Sequence, residues 1–141
     1  MKYLLALIAA IALSAAIAGA IPPEEGEHAV LKAVVHINFD DVERQQHGLG
    51  NIDNILNEAP EAKLEVVCHG KGISLVDRRQ TTHAEQVLAL IKRGVRFVAC
   101  ENTMEKERIE NGQLVAGVTT VPSGAVEVLR KQQEGYRYFR P

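Results

Sequence analysis

The sequence predicts a single α/β domain of three layers, in which a mostly parallel sheet of about five strands lies between helices. Short runs of β-forming residues alternate with segments whose apolar residues recur at helical spacing. The chain of 141 residues is long enough for one such domain and too short for two. Because strands and helices alternate along the chain, the connections favour parallel crossovers.

The first twenty residues have the pattern of an exported signal peptide. Lys2 precedes an almost unbroken run of Leu, Ile and Ala over residues 4–17, and residues 18–20 (Ala-Gly-Ala) match a small-x-small cleavage site. We therefore expect a cleaved leader, a periplasmic or secreted protein and no stable membrane insertion after cleavage. An uncleaved membrane anchor is the alternative, because the run approaches the roughly 20 residues of a spanning helix.

The charge balance and the cysteine content narrow the classes of partner. The formal net charge is −2 at pH 7, so nothing favours a nucleic acid or an anionic membrane surface as partner. The two cysteines, Cys68 and Cys100, fall short of a disulfide framework. An oxidising compartment permits a bond between them and hence a redox switch, which depends on geometry that the sequence leaves open.

The first half of the domain is predicted to follow a lead-in. Residues 21–29 are rich in Pro and Glu and are expected to be flexible, so the domain itself spans residues 30–141. The elements predicted there are a strand at 30–39, a helix that starts at Asp40 or Asp41 and ends at Pro60, a strand at 64–68, and a long connection at 70–80 with a short extended piece at 73–76.

The second half continues the alternation. Its predicted elements are a helix capped by Thr82 and ended by Gly94, a strand at 95–99, a short charged helix at 103–110, a strand at 115–121, a helix that begins at Pro122 and Ser123 and stops at Gly135, and a closing strand at 136–139.

Cys100 lies where a predicted strand ends and a helix begins. Asn102 and Glu105 form a capping-box pattern for that helix, which places the thiol at the sheet edge where open α/β folds bind ligands. Free backbone amides and the positive end of a helix dipole favour the thiolate there. Cys100 is therefore the candidate nucleophile. The alternative is an inert thiol, because free cysteines are often small buried hydrophobes.

Other polar residues follow the predicted strands at the same edge. The candidate binding residues are Asn38, His69, Asn102, Ser123 and Gly124. Ser123 lacks the Gly-x-Ser-x-Gly pattern of a serine hydrolase and is expected to cap the last helix. A zinc site built from Cys68, His69 and Cys100 lacks a fourth ligand, so we predict no metal and no cofactor. His36, within a strand, is interpreted as a core or interface histidine.

Four blocks of sequence resemble the DsrE/DsrF-like family of small sulfur-relay proteins. They cover residues 34–41, 64–70, 94–104 and 121–141, and the last block resembles the exported branch of that family. The resemblance implies a five-stranded α/β/α domain that forms homo- or hetero-oligomers. It also implies that a cysteine just after the third strand carries a persulfide, and Cys100 is the matching position. A thiolate there accepts sulfane sulfur from a donor and passes it to an acceptor thiol, with His69 as an assisting residue.

Two functional hypotheses remain open at this stage. One is a periplasmic sulfur carrier or sulfurtransferase that uses Cys100, with a protein sulfur donor or acceptor as partner. The other is a non-catalytic oligomeric binding module of the same fold, favoured by the low aromatic content and the lack of a second catalytic group. A dimer or trimer is expected in either case, because Tyr136, Tyr138 and Phe139 lie on a terminal strand whose edge can be buried against another copy.

Overall fold

The computed structural model describes residues 30–141. The predicted signal peptide and lead-in lie outside the described residues. The elements are β1 (Lys32–Ile37), α1 (Val42–Glu58), β2 (Lys63–Cys68), a 3₁₀ helix (Gly70–Leu75), α2 (Ala84–Lys92), β3 (Arg96–Cys100), α3 (Glu101–Glu107), a 3₁₀ turn (Asn111–Gln113), β4 (Thr119–Val121), α4 (Gly124–Gln133) and β5 (Arg137–Phe139).

The five strands form one parallel sheet in the order β4-β3-β2-β1-β5. The chain moves outward from β1 to β4 and then returns through α4 to add β5 beside β1. Parallel crossovers are right-handed, so this reversal of direction puts α4 on the face opposite to α1, α2 and α3. The predicted three-layer α/β/α fold is confirmed, with every strand pair parallel.

Side chains alternate between two core layers along each strand. The larger layer lies between the sheet and α1, α2 and α3, and includes Leu49, Leu90, Phe97 and Met104. The smaller layer lies under α4 and consists of Val34, Val67, Val98, Val121 and Val128, with Tyr136 against it. Because residues alternate between the two layers, the position of a residue along its strand shows on which face of the sheet its side chain lies.

Several predicted helix ends are confirmed. The Asp41 side chain accepts a hydrogen bond from Arg44 N at 2.7 Å and caps α1, which makes Asp41 rather than Asp40 the first cap. Ser123 Oγ accepts from Val126 N at 3.5 Å and caps α4. Gly94 and Gly135 follow α2 and α4 with positive φ angles of 92° and 86°, the conformation in which glycine is favoured at a helix C-terminus.

Two predicted helix caps are wrong. The N-cap of α2 is His83 rather than Thr82, and Thr81 Oγ1 accepts from His83 N at 3.0 Å. The N-cap of α3 is Cys100 rather than Asn102. Cys100 still pairs with Val121 of β4, so the strand extends to the residue before the helix and Asn102 falls inside the first helical turn.

Two predicted extended segments are also wrong. The segment at 73–76 belongs largely to a 3₁₀ helix, where Gly72 packs so closely that a Cβ would lie 2.1 Å from the Ile37 carbonyl oxygen. The strand predicted at 115–121 is confined to Thr119–Val121. Val115 is buried and donates its amide to Val76 O at 2.9 Å, so its apolar character reflects the core and not a strand.

Candidate functional site

Cys100 lies at the point where the connections of the sheet change face. β3 continues directly into α3 on one face, and Pro122 and Ser123 connect β4 to α4 on the other. In open α/β sheets the crevice between two such strands, at their carboxyl ends, is the usual ligand site. Cys100 ends β3 and pairs with Val121 of β4, and Asn102 N in the first turn of α3 donates at 3.3 Å to Pro122 O in the connection after β4.

Hydrogen-bond donors from both helices converge on the Cys100 sulfur. Burial on its own raises the pKa of this thiol, but hydrogen bonds from the Thr103 hydroxyl and from the backbone amides of Gly124, Thr103 and Asn102 outweigh it, so the pKa of Cys100 lies below its ordinary value. Hydrogen bonds to the charged form favour that form. The residue is only 4 % exposed, so the thiolate is held by protein donors more than by bulk water.

Thr103 is a site residue that sequence reasoning did not identify. Its Oγ1 accepts from Gly70 N at 3.0 Å, while hydrogen bonds from its hydroxyl and its amide lower the pKa of the Cys100 thiol. It therefore ties the loop after β2 to the end of β3. The available clue was its position three residues after Cys100, where a residue in the first helical turn faces back toward the strand end.

Gly124 provides room for two side chains at once. A Cβ at this position would lie 2.7 Å from His69 Cβ, 3.0 Å from His69 Cγ and 3.3 Å from Cys100 Cβ. His69 and Cys100 therefore both flank the first residue of α4. Glycine is needed here because of this close approach, and its amide donates to the sulfur.

The His69 ring is the first of three polar rings, followed by His36 and Tyr138, that contact one another in a row. Its Nε2 lies 2.5 Å from Nε2 of His36, and the two rings are nearly parallel, with centroids 4.7 Å apart. Nδ1 of His36 lies 2.8 Å from the Tyr138 hydroxyl oxygen. His36 thus proves to be a hydrogen-bonded neighbour of a site residue, and neither this contact nor that of Tyr138 was evident from the sequence.

Both histidines are shifted toward the neutral form. Burial, with His69 and Arg140 nearby, lowers the pKa of His36 to about 4, and burial lowers the pKa of His69. At neutral pH the pair is therefore uncharged. Its hydrogen bond then joins one protonated ring nitrogen to one unprotonated ring nitrogen.

The remaining predicted binding residues have other roles. Asn38 Oδ1 accepts from Arg140 Nη2 at 2.9 Å and from Arg140 Nε at 3.2 Å, and Asn38 follows β1, two strands away from β3. Ser123 uses its hydroxyl as the α4 cap. Asn102 contributes through its backbone amide. The structure thus brings Cys100, His69, Gly124 and the Asn102 backbone together, and places Asn38 elsewhere.

Cys68 lies on the other face of the sheet. It belongs to the larger core layer and is fully buried, and burial raises the pKa of its thiol well above the ordinary range. Both cysteines are free thiols. Because Cys100 points toward α4, the two side chains diverge, and the structure gives no support to the Cys68–Cys100 redox switch that the sequence leaves open.

Metal-binding clusters and membrane-spanning helices are both absent from the described part of the chain. Within residues 30–141, no group of three or more His, Cys, Asp or Glu side chains is arranged to hold a metal ion. Within the same residues, no helix has both the length and the apolar character that crossing a bilayer requires.

Comparison with known proteins identifies the family. The sequence profile of the DsrE/DsrF-like family matches residues 24–141. The chain belongs to the DsrE/DsrF-like family. This family is generally linked to sulfur relay. No curated protein matches the chain.

Two solved structures share the fold of this DsrE/DsrF-like chain. The protein of unknown function MTH1491 from Methanobacterium thermoautotrophicum is 32 % identical, and the match covers 79 % of this chain and 99 % of MTH1491 with a TM-score of 0.75. The ychN protein from E. coli is 13 % identical, and the match covers 79 % of this chain and 100 % of ychN with a TM-score of 0.69. The second likeness concerns the fold alone.

Proposed function

We propose that this DsrE/DsrF-like protein is a periplasmic sulfur carrier that holds sulfane sulfur as a persulfide on Cys100 and passes it to an acceptor thiol. The observation that carries the proposal is the convergence of four donors on one sulfur: the Thr103 hydroxyl and the amides of Asn102, Thr103 and Gly124. A thiolate is the nucleophilic form of cysteine, and this arrangement lowers the pKa of Cys100 and so favours the thiolate relative to an ordinary cysteine.

The proposed transfer needs no external oxidant or reductant, because one S–S bond forms for each S–S bond that breaks. The Cys100 thiolate attacks the outer sulfur of a donor persulfide, R–S–SH, and a new S–S bond forms at Cys100. The S–S bond of the donor breaks, and its electron pair leaves on the thiolate R–S⁻, which takes up a proton and departs as R–SH. In the second half, an acceptor thiolate attacks the outer sulfur on Cys100 and leaves with it as a persulfide, so Cys100 returns as a thiolate.

The shielding of Cys100 suits a carrier of reactive sulfur. Cys100 is 4 % exposed, and the susceptibility of a cysteine to oxidation falls as its exposure falls. Once loaded, the outer sulfur extends about 2 Å beyond Cys100 Sγ.

Intact-mass spectrometry tests the proposal. The protein is incubated with an excess of a small alkyl persulfide, desalted and weighed before and after reduction with dithiothreitol. We expect a gain of one sulfur atom that dithiothreitol removes, and that is present in Cys68→Ala and absent in Cys100→Ser. A gain that persists in Cys100→Ser, or a wild-type protein that gains no sulfur, overturns the proposal and leaves the non-catalytic binding module as the function of this fold.

Self-association and export belong to the same proposal. Val126 and Leu129 are 49 % and 63 % exposed, and their spacing of three puts them side by side on the outer surface of α4. We expect this surface to bury itself in a dimer or trimer. Light scattering at micromolar concentration should give a multiple of the monomer mass for the wild type and a monomer for Leu129→Glu, and a monomeric wild type contradicts the proposed self-association.

The proposed export rests on the leader sequence alone. It is tested by sequencing the N-terminus of the mature protein, which should begin near Ile21.

A further inference from the structure

Four chemically active side chains form a row across the sheet beneath the start of α4. Cys100 ends β3, His69 follows β2, His36 lies on β1 and Tyr138 lies on β5, and these four strands are consecutive neighbours in the sheet. Strand alternation puts all four on the α4 face: His36 is two residues from Val34, and Cys100 two from Val98, of the α4-side layer. Tyr138 pairs with Val34.

Direct contacts join three members of the row, from His69 to the surface. His69 and Cys100 both flank Gly124, and His69 Nε2 contacts His36 Nε2 at 2.5 Å. His36 Nδ1 contacts the Tyr138 hydroxyl at 2.8 Å. Tyr138 is 46 % exposed, so its hydroxyl exchanges protons with water at the outer end of the row.

We propose that Tyr138 and His36 form a relay that delivers a proton through His69 to the sulfur leaving group at Cys100, and returns it in the reverse step. This inference rests on the proposed function. In this proposal the proton donor to the leaving sulfur is His69 Nδ1, the ring nitrogen bonded to Cγ, because His69 Cγ and Cys100 Cβ lie 3.0 and 3.3 Å from the position that a Gly124 Cβ would take. His36 and Tyr138 are positioning residues, because they act through His69.

The relay works without forming a charged imidazolium. In one arrangement the Tyr138 O–H donates to His36 Nδ1, His36 Nε2–H donates to His69 Nε2, and His69 carries its remaining proton on Nδ1. When His69 Nδ1 gives up that proton, His36 passes its Nε2 proton to His69, and Tyr138 passes its own to His36 and is reprotonated by water. Each group ends neutral, and one proton has moved from solvent to the site.

The surrounding charges suit a neutral relay. The groups that face His36 are His69 after β2, and Tyr138 and Arg140 at the β5 end, and His36 is the group that contacts the His69 ring. His69 and Arg140 both disfavour a charged His36. Proton transfer by successive tautomer changes avoids the cost of placing an imidazolium there.

The proton has a definite place in the loading reaction. Cys100–S⁻ and R–S–SH give Cys100–S–SH and R–S⁻, and the proton that converts R–S⁻ to R–SH comes from His69 Nδ1. An alkyl thiolate is a basic leaving group and gains from this proton, whereas an aryl thiolate departs readily without one because its conjugate acid is far more acidic. Loss of a relay residue should therefore slow the reaction that releases an alkyl thiolate and leave the reaction that releases an aryl thiolate unchanged. A purely structural role would slow both reactions alike.

Single-turnover kinetics with two reagents test the relay. Rates of sulfur loading from an alkyl persulfide and of disulfide exchange with an aryl disulfide are measured for the wild type, His36→Asn and Tyr138→Phe. We expect each variant to slow loading from the alkyl persulfide by at least about tenfold, in line with typical general-acid contributions, while the rate with the aryl disulfide stays within about twofold of wild type. The solvent deuterium isotope effect on alkyl loading should fall in both variants.

Matched controls separate the relay from folding and from the proposed function. Tyr136→Phe and His47→Asn change the same residue types outside the row and should react like the wild type with both reagents. Equal slowing of both reactions in Tyr138→Phe and His36→Asn indicates a structural role and overturns the relay, as does unchanged alkyl loading. A wild type that exchanges with the aryl disulfide but never gains sulfur from the alkyl persulfide refutes the proposed function itself.

Discussion

The Thr103 hydroxyl links Gly70 to Cys100: it accepts from the Gly70 amide at 3.0 Å, and its hydrogen bonding lowers the pKa of the Cys100 thiol. A single side chain thus connects the loop after β2 with the reactive position at the end of β3. The contact depends on the pairing of β2 with β3, which brings the two strand ends side by side.

Removal of the Thr103 hydroxyl is expected to make Cys100 less acidic. Thr103→Val keeps the shape of the side chain and loses the donor, and a hydrogen bond to a charged group contributes about 1.5 kcal/mol or more. We expect the rate of iodoacetamide labelling at neutral pH to fall roughly tenfold. Thr103→Ser retains the hydroxyl and should label like the wild type. Equal labelling of all three proteins contradicts the hydrogen bond.

Gly124→Ala is expected to disturb both the fold and the site. The new Cβ would lie 2.7 Å from His69 Cβ and 3.3 Å from Cys100 Cβ, and overpacking of this kind costs about 1–3 kcal/mol of unfolding free energy. Urea denaturation measures the cost, and iodoacetamide labelling should slow. In Gly50→Ala nothing lies within 4 Å of the new Cβ, so the helix should gain up to about 1 kcal/mol. Equal stability of the two variants refutes this packing.

His36 is expected to titrate far below an ordinary histidine. Burial, His69 and Arg140 lower the pKa of His36 from 6.5 to about 4, so the unfolded chain binds this proton more tightly than the folded chain. The stability that this group contributes is present above about pH 6.5 and is lost as the pH falls toward 4. NMR titration of the His36 ring measures the pKa. A midpoint near 6.5 contradicts the buried, neutral pair.

Asp77 makes a second pH-dependent contribution to the free energy of unfolding, at lower pH than His36. Hydrogen bonds from Arg79 and Gln80 hold the pKa of this buried carboxyl down to about 2, from an ordinary 3.8, against the opposing effect of burial. Its contribution is present above pH 3.8 and is lost as the pH falls to about 2. Asp77→Asn should cost about 2 kcal/mol at pH 7 by urea denaturation, whereas Asp53→Asn at a surface ion pair should cost about 0.5 kcal/mol or less.

The parts of the fold that sequence reasoning predicted correctly are those set by local chemistry. Ser123 caps α4 because its hydroxyl reaches an amide three residues away, and Gly94 and Gly135 end helices because they adopt positive φ. The alternation of strands and helices, together with the handedness of crossovers, then specifies a layered parallel sheet. Each of these features depends on neighbours in the sequence.

The incorrect predictions and the missed contacts arise where pairing between distant parts of the chain determines the local structure. Asn102 has the pattern of a cap, but the pairing of Cys100 with Val121 extends β3 and moves the start of the helix. Val115 has the pattern of a strand and is instead a core residue in a connection. The contact of His36 with His69 and Tyr138 depends on the register of β1 against two strands distant in sequence, so no local pattern reveals it.

The acidity of Cys100 is the central claim, and Cys68 in the same molecule is its internal control. Mass-spectrometric mapping of iodoacetamide labelling against pH compares the two thiols directly. The account predicts that Cys100 labels with a midpoint below the ordinary thiol value of about 8.5, while Cys68 stays unlabelled until the protein is unfolded. A Cys100 midpoint at or above 8.5, or protection of Cys100 equal to that of Cys68, contradicts it.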